Sequence, residues 1–536
     1  MKSGFATYLL PISLMAALAV PAGIAAQDDG PRPQHYQVID LGTLGGPHSY
    51  GSVNGQGFAL LNNSGIVASY SDLGSIQLNA DLGCYVPDCF EAHATEWKDG
   101  AATDLGALPA PPDFSALSAA GSINASGWAT GQSQASIIDP ILGVPEFRGV
   151  LWKDGQLINL GTLEAGTESL GIYVNDAGQV IGFSTVSTDQ NDPLGFIGFP
   201  THTFIWQNGE KLDIGTLGGN DTFPGASCSN PPTGIVVGGS STTTIPNVDT
   251  GLPTVDPFLW RNGKMLDLGT IGGTNGFAQC ANHRLQIIGQ SSVAANPAAC
   301  NSPAVEPEGA GPGCHAFSWE NGVMTDLGTL GGDNSEALWL NEAGVVVGSA
   351  DLPGPSGNQT HDAVVWINGV IHDLGTVSGD ACSRGRGLNA RGEIVGGSSD
   401  CQNFLHAFIS ENGGPSVDLN TLIPPGLGIQ LTNAFNINDR GEILAKAAPL
   451  GFTPNDDADL GHLVLLVPCG AREGDCSSSS QAANVRGHAA FSLARTGSGT
   501  SPKPPHTEGD GLVGWRKVSR RFRVSTAEPL VIPAIY

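Results

Sequence analysis

Basic residues are scarce in this chain. It has 536 residues, with 23 Lys and Arg against 50 Asp and Glu, and a formal net charge of −27. Binding to nucleic acid depends on Lys and Arg neutralising phosphates, so that class of partner is excluded. The same deficit disfavours binding to anionic lipid. Charged residues make up only 14% of the chain, a poor supply for solvent-exposed helices. Beyond the first 27 residues no apolar run approaches the ~20 residues needed to span a bilayer. The nucleophile elbow, the His-Glu-x-x-His zinc motif and a Cys-x-x-Cys pair are all absent. An enzyme is not thereby excluded, because a ring of repeats can draw its acid, base and nucleophile from different repeats.

Glycine is abundant at 76 residues, and short apolar runs recur between turn signals, which favours strands joined tightly. The N-terminus, with Lys2, an apolar run broken by Pro11 and Pro21, and small residues before Gln27, reads as a secretory signal over residues 1–26. Ten cysteines in an exported chain are expected to pair.

An Asp-Leu-Gly block organises the chain. It recurs, with drift, at Asp40, Asp104, Asn159, Asp213, Asp267, Asp326, Asp373 and Asp418, in steps of 64, 55, 54, 54, 59, 47 and 45 residues. A strand-rich period of this length indicates a propeller. An Asn-Gly or Asp-Gly hairpin turn follows Trp97, Trp152, Trp206, Trp260, Trp319 and Trp366. An Asn-x-x-Gly turn begins at Asn62, Asn124, Asn175, Asn341, Asn389 and Asn438, while units four and five ("NPPTG", "NHRL") lack a clean copy. These turns cut each unit into four antiparallel strands, one propeller blade. After Asp418 come three strands and no fourth, and "HYQVIDLG" (35–42) is a fourth strand with no third. The two ends are therefore expected to complete one blade, giving an all-β, eight-bladed propeller over residues 35–468, closed by pairing of N- and C-terminal strands.

The His-Ala-Phe-x-Trp block at His315–Trp319, with partial copies at His93, His202, His361 and His406, and the Asp-Leu-Gly-Thr-Leu-Gly-Gly block resemble the HAF-family extracellular repeat proteins of bacteria. The resemblance implies an exported repeat protein and brings no defined activity with it. Unit seven departs from the pattern with Ser410 in the Trp place, and unit eight with Leu466.

Repeated residues are expected to serve the scaffold. The Trp series should wedge between blades, the His should bond a neighbouring blade, and the Asp should cap the turn after strand four. Function is then expected in the insertions between strands two and three: 70–91, 186–201, 241–256, 292–313 and 450–461. Proximity suggests the disulfides Cys84–Cys89, Cys300–Cys314, Cys382–Cys401 and Cys469–Cys476, and leaves Cys228 and Cys280 as a pair between adjacent blades. Glu336, Arg384 and Arg386 are candidates to line the channel. Acidic loops, notably Asp456, Asp457 and Asp459, and also "DQND" (189–192), offer a few calcium ligands each, so calcium is a minor expectation and no other cofactor is expected. The tail 477–536 has eight basic residues against three acidic and no blade pattern, and is expected to be disordered.

The sequence reading is a monomeric, secreted or cell-surface propeller that binds an extracellular glycan, a surface protein or a small ligand. A secreted carbohydrate-active hydrolase or lyase is the alternative, and a structural matrix component a third. The ligand is not specified.

Overall fold

The computed structural model describes residues 34–51, 59–80, 84–225, 231–248, 251–293, 300, 313–355, 360–452 and 461–470. The signal region 1–26, the tail 477–536, Asp456, Asp457, Asp459, Cys228 and Cys476 lie outside them. Contacts divide the chain into Met1–Gln34 and His35–Tyr536, and the architecture is that of the second unit. No described helix is long and apolar enough to cross a membrane.

Eight four-stranded antiparallel sheets follow one another. Blade six is typical: Ser335–Leu340 is innermost, then Val346–Asp351, His361–Ile367, and Val370–Gly375 at the rim. Blade eight takes Ile429–Ile437, Ile443–Pro449 and His462–Pro468 from the end of the repeat region and Tyr36–Asp40 from its start. The register of the last pair runs from Tyr36 opposite Pro468 to Asp40 opposite Val464. The composite blade is thus formed as the repeat count requires.

Core clusters bridge neighbouring blades. Trp97 of blade one packs on Leu444, Leu463 and Leu465 of blade eight, and Trp366 of blade six on Ile288 and Ala316 of blade five. Trp366 Nε1 also donates to the Leu327 carbonyl of the preceding crossing at 2.9 Å. The Trp series is therefore a set of inter-blade wedges.

The end of the ring with the tight turns is held by asparagines. Each Oδ1 accepts from backbone N–H groups two and four residues on, and at most junctions Nδ2 donates to the next blade's turn: Asn62 to Asn124 O (3.0 Å), Asn341 to Asn389 O (3.1 Å) and Asn389 to Asn438 O (3.0 Å). Blade five, with no glycine, makes the same turn. Asn282 Nδ2 reaches Asn341 O at 3.2 Å, and Leu285 takes the glycine's place with φ +61°.

At the opposite end the Gly-Gly pairs have two different jobs. Gly45 adopts φ +122°, and at Gly46 a Cβ would stand 2.2 Å from the Leu73 carbonyl oxygen. The first glycine permits the backbone angle and the second permits close approach of the crossing to strand two.

Candidate functional site

The end bearing the insertions starts from a repeated clamp. An inner-strand hydroxyl accepts from strand three of the preceding blade and donates to the crossing: Ser335 Oγ takes the Ala316 N–H (2.9 Å) and bonds the Gly328 carbonyl (2.6 Å). Ser118, Ser169, Thr222 and Ser383 do the same. In several blades the residue before this inner-strand place is a second acceptor. Asn275 takes the Val255 N–H, Asn334 the N–H groups of Gly313 and Cys314, and His48 Nδ1 that of Gly461 at 2.9 Å.

The repeated His and Asp form a third element. Nδ1 of His93, His202, His315 and His462 bonds Asp104, Asp213, Asp326 and Asp40, at 2.8–3.1 Å. The expected neighbouring-blade partner is thus secondary. It is met by Nε2 of His93, on Ala116 O, and of His462, on Pro47 O. The same aspartates cap the turn after strand four, as at Gly106 N to Asp104 Oδ1, 2.7 Å. His361 is not a copy of this histidine. In register with Trp366, Asp362 holds the place, and its carboxyl meets Asp373. Asp256 meets Asp267 in the same way in blade four. His406 turns to Asp380 instead, at 2.8 Å.

Against this frame, the next inner-strand position and its strand-two partner form a different pair in every blade. The pairs read Tyr50–Tyr70, Ala119–Gln132, Leu170–Phe183, Phe223–Gly239, Phe277–Gln290, Glu336–Ser349, Arg384–Gly397 and Asn433–Lys446. Blades one to five are mainly aromatic or apolar here, and blades six to eight carry charge.

Glu336 and Arg384 are brought together. Arg384 Nη2 donates to Glu336 Oε2 at 2.7 Å, Nε stands 2.5 Å from Oε1, and Ser349 Oγ donates to Oε1 at 2.9 Å. Both residues are at most 5% exposed, so the pair seals blade six to blade seven and does not face an open channel. Arg386 is also buried, with its guanidinium 4.6 Å from the Phe404 ring centroid.

A second polar group, absent from the sequence reading, lies where blade eight meets blade one. Asp72 Oδ2 accepts from the His48 N–H at 2.8 Å. Tyr50 Oη donates to Asp88 Oδ1 at 3.2 Å, and His48 Nε2 stands 3.6 Å from Asp88 Oδ2. Lys446 Nζ lies 5.1 Å from the Tyr50 ring centroid and donates to Ser49 O at 2.7 Å. Asp88 arrives on the inserted segment clamped by Cys84–Cys89, whose Tyr85 accepts from Gln132 at 3.0 Å.

The electrostatics follow from burial. Desolvation, with Lys446 nearby, lowers the His48 pKa to about 3. The Gly461 N–H into Nδ1 requires a lone pair there, so this imidazole is neutral and donates from Nε2. Desolvation and the Asp88 charge raise Asp72 to about 8, so the carboxyl pair holds one proton near neutrality. Desolvation and the same two carboxylates push the Tyr50 hydroxyl up. Such a pair can both give and accept a proton. The sequence signal was the run "GGPHSY", where the other units place Leu117, Glu168, Asp221, Asn275, Asn334, Cys382 and Leu431 at the histidine. Asp88 is not signalled, because an insertion brings it.

Cys84–Cys89, Cys300–Cys314 and Cys382–Cys401 are disulfides. Cys280 and Cys469 are disulfide-bonded as well, and their expected partners Cys228 and Cys476 lie outside the described residues. Exposed apolar side chains gather at the hairpin tips of blades one and two: Ile76, Leu78, Ile137, Ile138 and Ile141.

No family model matches the chain, and no curated protein matches it. Among solved structures it is similar to an acylaminoacyl peptidase of Pyrococcus horikoshii (10% identity, 77% of this chain and 57% of that one, TM-score 0.35). It is also similar to dipeptidyl peptidase 4 of Porphyromonas gingivalis (9%, 77% and 60%, 0.40) and to a polysaccharide lyase, an ulvan lyase (11%, 81% and 94%, 0.30). The chain spans under two thirds of the length of both peptidases. All these TM-scores are below 0.5, and the functional reading rests on this chain's own geometry.

Proposed function

We propose that this is an exported HAF-type repeat protein whose inserted-loop end binds an extracellular glycan, surface protein or small ligand. The carrying observation is the contrast between the two ends. One repeats the same asparagine clamp, while the other places a different residue pair on every blade beneath insertions stapled by disulfides. Variation confined to one end of a rigid ring is how a scaffold acquires a binding surface. The disulfides agree with an oxidising compartment.

A second reading is favoured by the Asp72–Asp88 pair: a carbohydrate-active enzyme in which these carboxyls supply acid and base. A panel of neutral and acidic polysaccharides, assayed for retention and for products, separates the two. Retention without new reducing ends or unsaturated sugars, weakened by Asp88→Ala, is the expected result. Turnover abolished by Asp72→Asn would establish the enzyme instead. Silence across the panel would overturn glycan binding and the enzyme, and would favour a structural matrix role.

A further inference from the structure

The inserted loop of blade three returns to blade four through two aspartates. Asp192 Oδ1 accepts from the N–H groups of Leu194 (3.0 Å) and Gly195 (3.3 Å), and Oδ2 from Asn220 Nδ2 (2.8 Å). Asp221 Oδ1 accepts from the Thr201 N–H at 3.0 Å, and its own N–H is held by Ser241 Oγ at 2.8 Å. Asp192 is 5% exposed and Asp221 2%.

Asp221 Oδ2 meets no hydrogen-bond donor among the described residues. What stands within hydrogen-bonding reach is the Asp192 carboxylate, which is another acceptor. Two ionised carboxylates cannot hold each other unless a proton or a cation stands between them, and a buried carboxylate without a counter-charge costs several kcal/mol or more. Something positive belongs between them.

The frame does not require this charge. Asn275 and Asn334 fill the place of Asp221 in blades five and six and accept from the corresponding N–H with a neutral amide. The surroundings also differ from the seam of blades eight and one, where Lys446, His48 and Tyr50 crowd the carboxyl pair. Here no Lys, Arg or His acts on Asp221, and Asp192 is the one charged group that does.

We infer that Asp192 and Asp221 form a binding site for a hard divalent cation of the calcium class, which ties the blade-three loop to blade four. Calcium takes six to eight oxygens at flexible geometry. No third Asp, Glu, His or Cys joins the pair among the described residues, so carbonyls and water complete the shell. That donor set belongs with the weak sites of extracellular modules, with Kd on the order of 10⁻⁴–10⁻³ M. The site stands whether or not the inserted-loop end binds a glycan.

The test uses the mature full chain stripped with a chelator. Calorimetric titration with calcium chloride should give a binding heat in that Kd range. At tenfold Kd the melting temperature should rise by roughly 1–2 °C for a chain of this size. Asp192→Asn and Asp221→Asn should each remove the blade-three contribution to the heat and the shift. Other acidic loops can bind calcium, so the comparison of wild type with variants is the readout. An undiminished response in both variants overturns the site, and so does no response up to about 10 mM calcium. A shared proton in place of the cation would show as an Asp221→Asn protein that melts higher and a wild type indifferent to calcium.

Discussion

Asn438 Nδ2 donates to the carbonyl of Asn62 at 3.0 Å, across 376 positions of sequence. The same bond joins Asn389 to Asn438, so the seam between the first and last blades is built like the junction of blades seven and eight. Deleting residues 35–41 would strip the fourth strand from blade eight and leave the edge of His462–Pro468 open. The expected result is a lower melting temperature and concentration-dependent association in gel filtration. Unchanged melting of a monomer would refute closure by the N-terminal strand. Asn438→Ala, which loses the seam bond and two turn bonds, should cost about 1–3 kcal/mol. Asn175→Ala should cost less, since Asn175 Nδ2 bonds Gln179 in its own blade.

The Glu336–Arg384 pair predicts a non-additive pair of substitutions. Glu336→Leu or Arg384→Met alone strands a charged partner in a site at most 5% exposed, and each should cost about 3–5 kcal/mol. The double change Glu336→Leu with Arg384→Met removes both charges and should recover much of the loss. Denaturant unfolding of all four proteins checks this. Additive costs would show that the two residues act separately.

The disulfides differ in the loops they close. Cys382–Cys401 spans 19 residues and Cys84–Cys89 spans 5. Loop-closure entropy makes the longer bridge worth about 1 kcal/mol more. Paired Cys→Ser replacement at 382 and 401 should therefore lower the unfolding free energy more than replacement at 84 and 89. The shorter bridge should matter more for ligand retention, because it holds Asp88 and Tyr85 at the inner ring. Equal loss of retention in the two variants would remove that role.

The frame was legible because it repeats. Eight Asp-Leu-Gly copies and a missing fourth strand sufficed to count the blades and close them. The partnership of His93 with Asp104 was also open to reading, since the same spacing of 11 residues returns at His202 and His315. It was obscured at His361, where the pattern slips by one residue and Asp362 takes the structural place. Leu285 hid the fifth asparagine turn by standing where a glycine was sought. The polar group around Tyr50 was out of reach for a different reason. Its members come from a crossing, an inner strand and an insertion, and only the closed ring brings them together. Substituted repeat positions announce themselves in a sequence, whereas contacts made by an insertion do not.

Two opposed sets of carboxyl groups predict the pH profile of stability. Desolvation and a facing aspartate raise Asp256 and Asp362 to about 7, and Asp72, facing Asp88, to about 8. A carboxyl whose folded pKa lies above its unfolded value near 4 contributes stability that is fully present below that value. The contribution is lost as pH rises through 7–8. The histidine-paired aspartates act in the other direction. Although desolvation alone would raise them, the bonds from histidine and from the turn glycine hold Asp104, Asp213 and Asp326 below the ordinary carboxylate range. Their contribution is present above the unfolded pKa and is lost as pH falls through the depressed folded values. Among their partners, His93 is raised despite its burial, through its bond to Asp104, so its share is lost as pH rises past its folded value above 6.5. The melting temperature should peak in mildly acidic buffer, decline as pH rises to about 8, and fall again in strong acid. Asp256→Asn with Asp362→Asn should flatten the alkaline limb and leave the acid limb in place, whereas Asp326→Asn should reduce the acid limb alone. A profile that climbs steadily to pH 9 would show that the facing carboxyl pairs are ionised without cost.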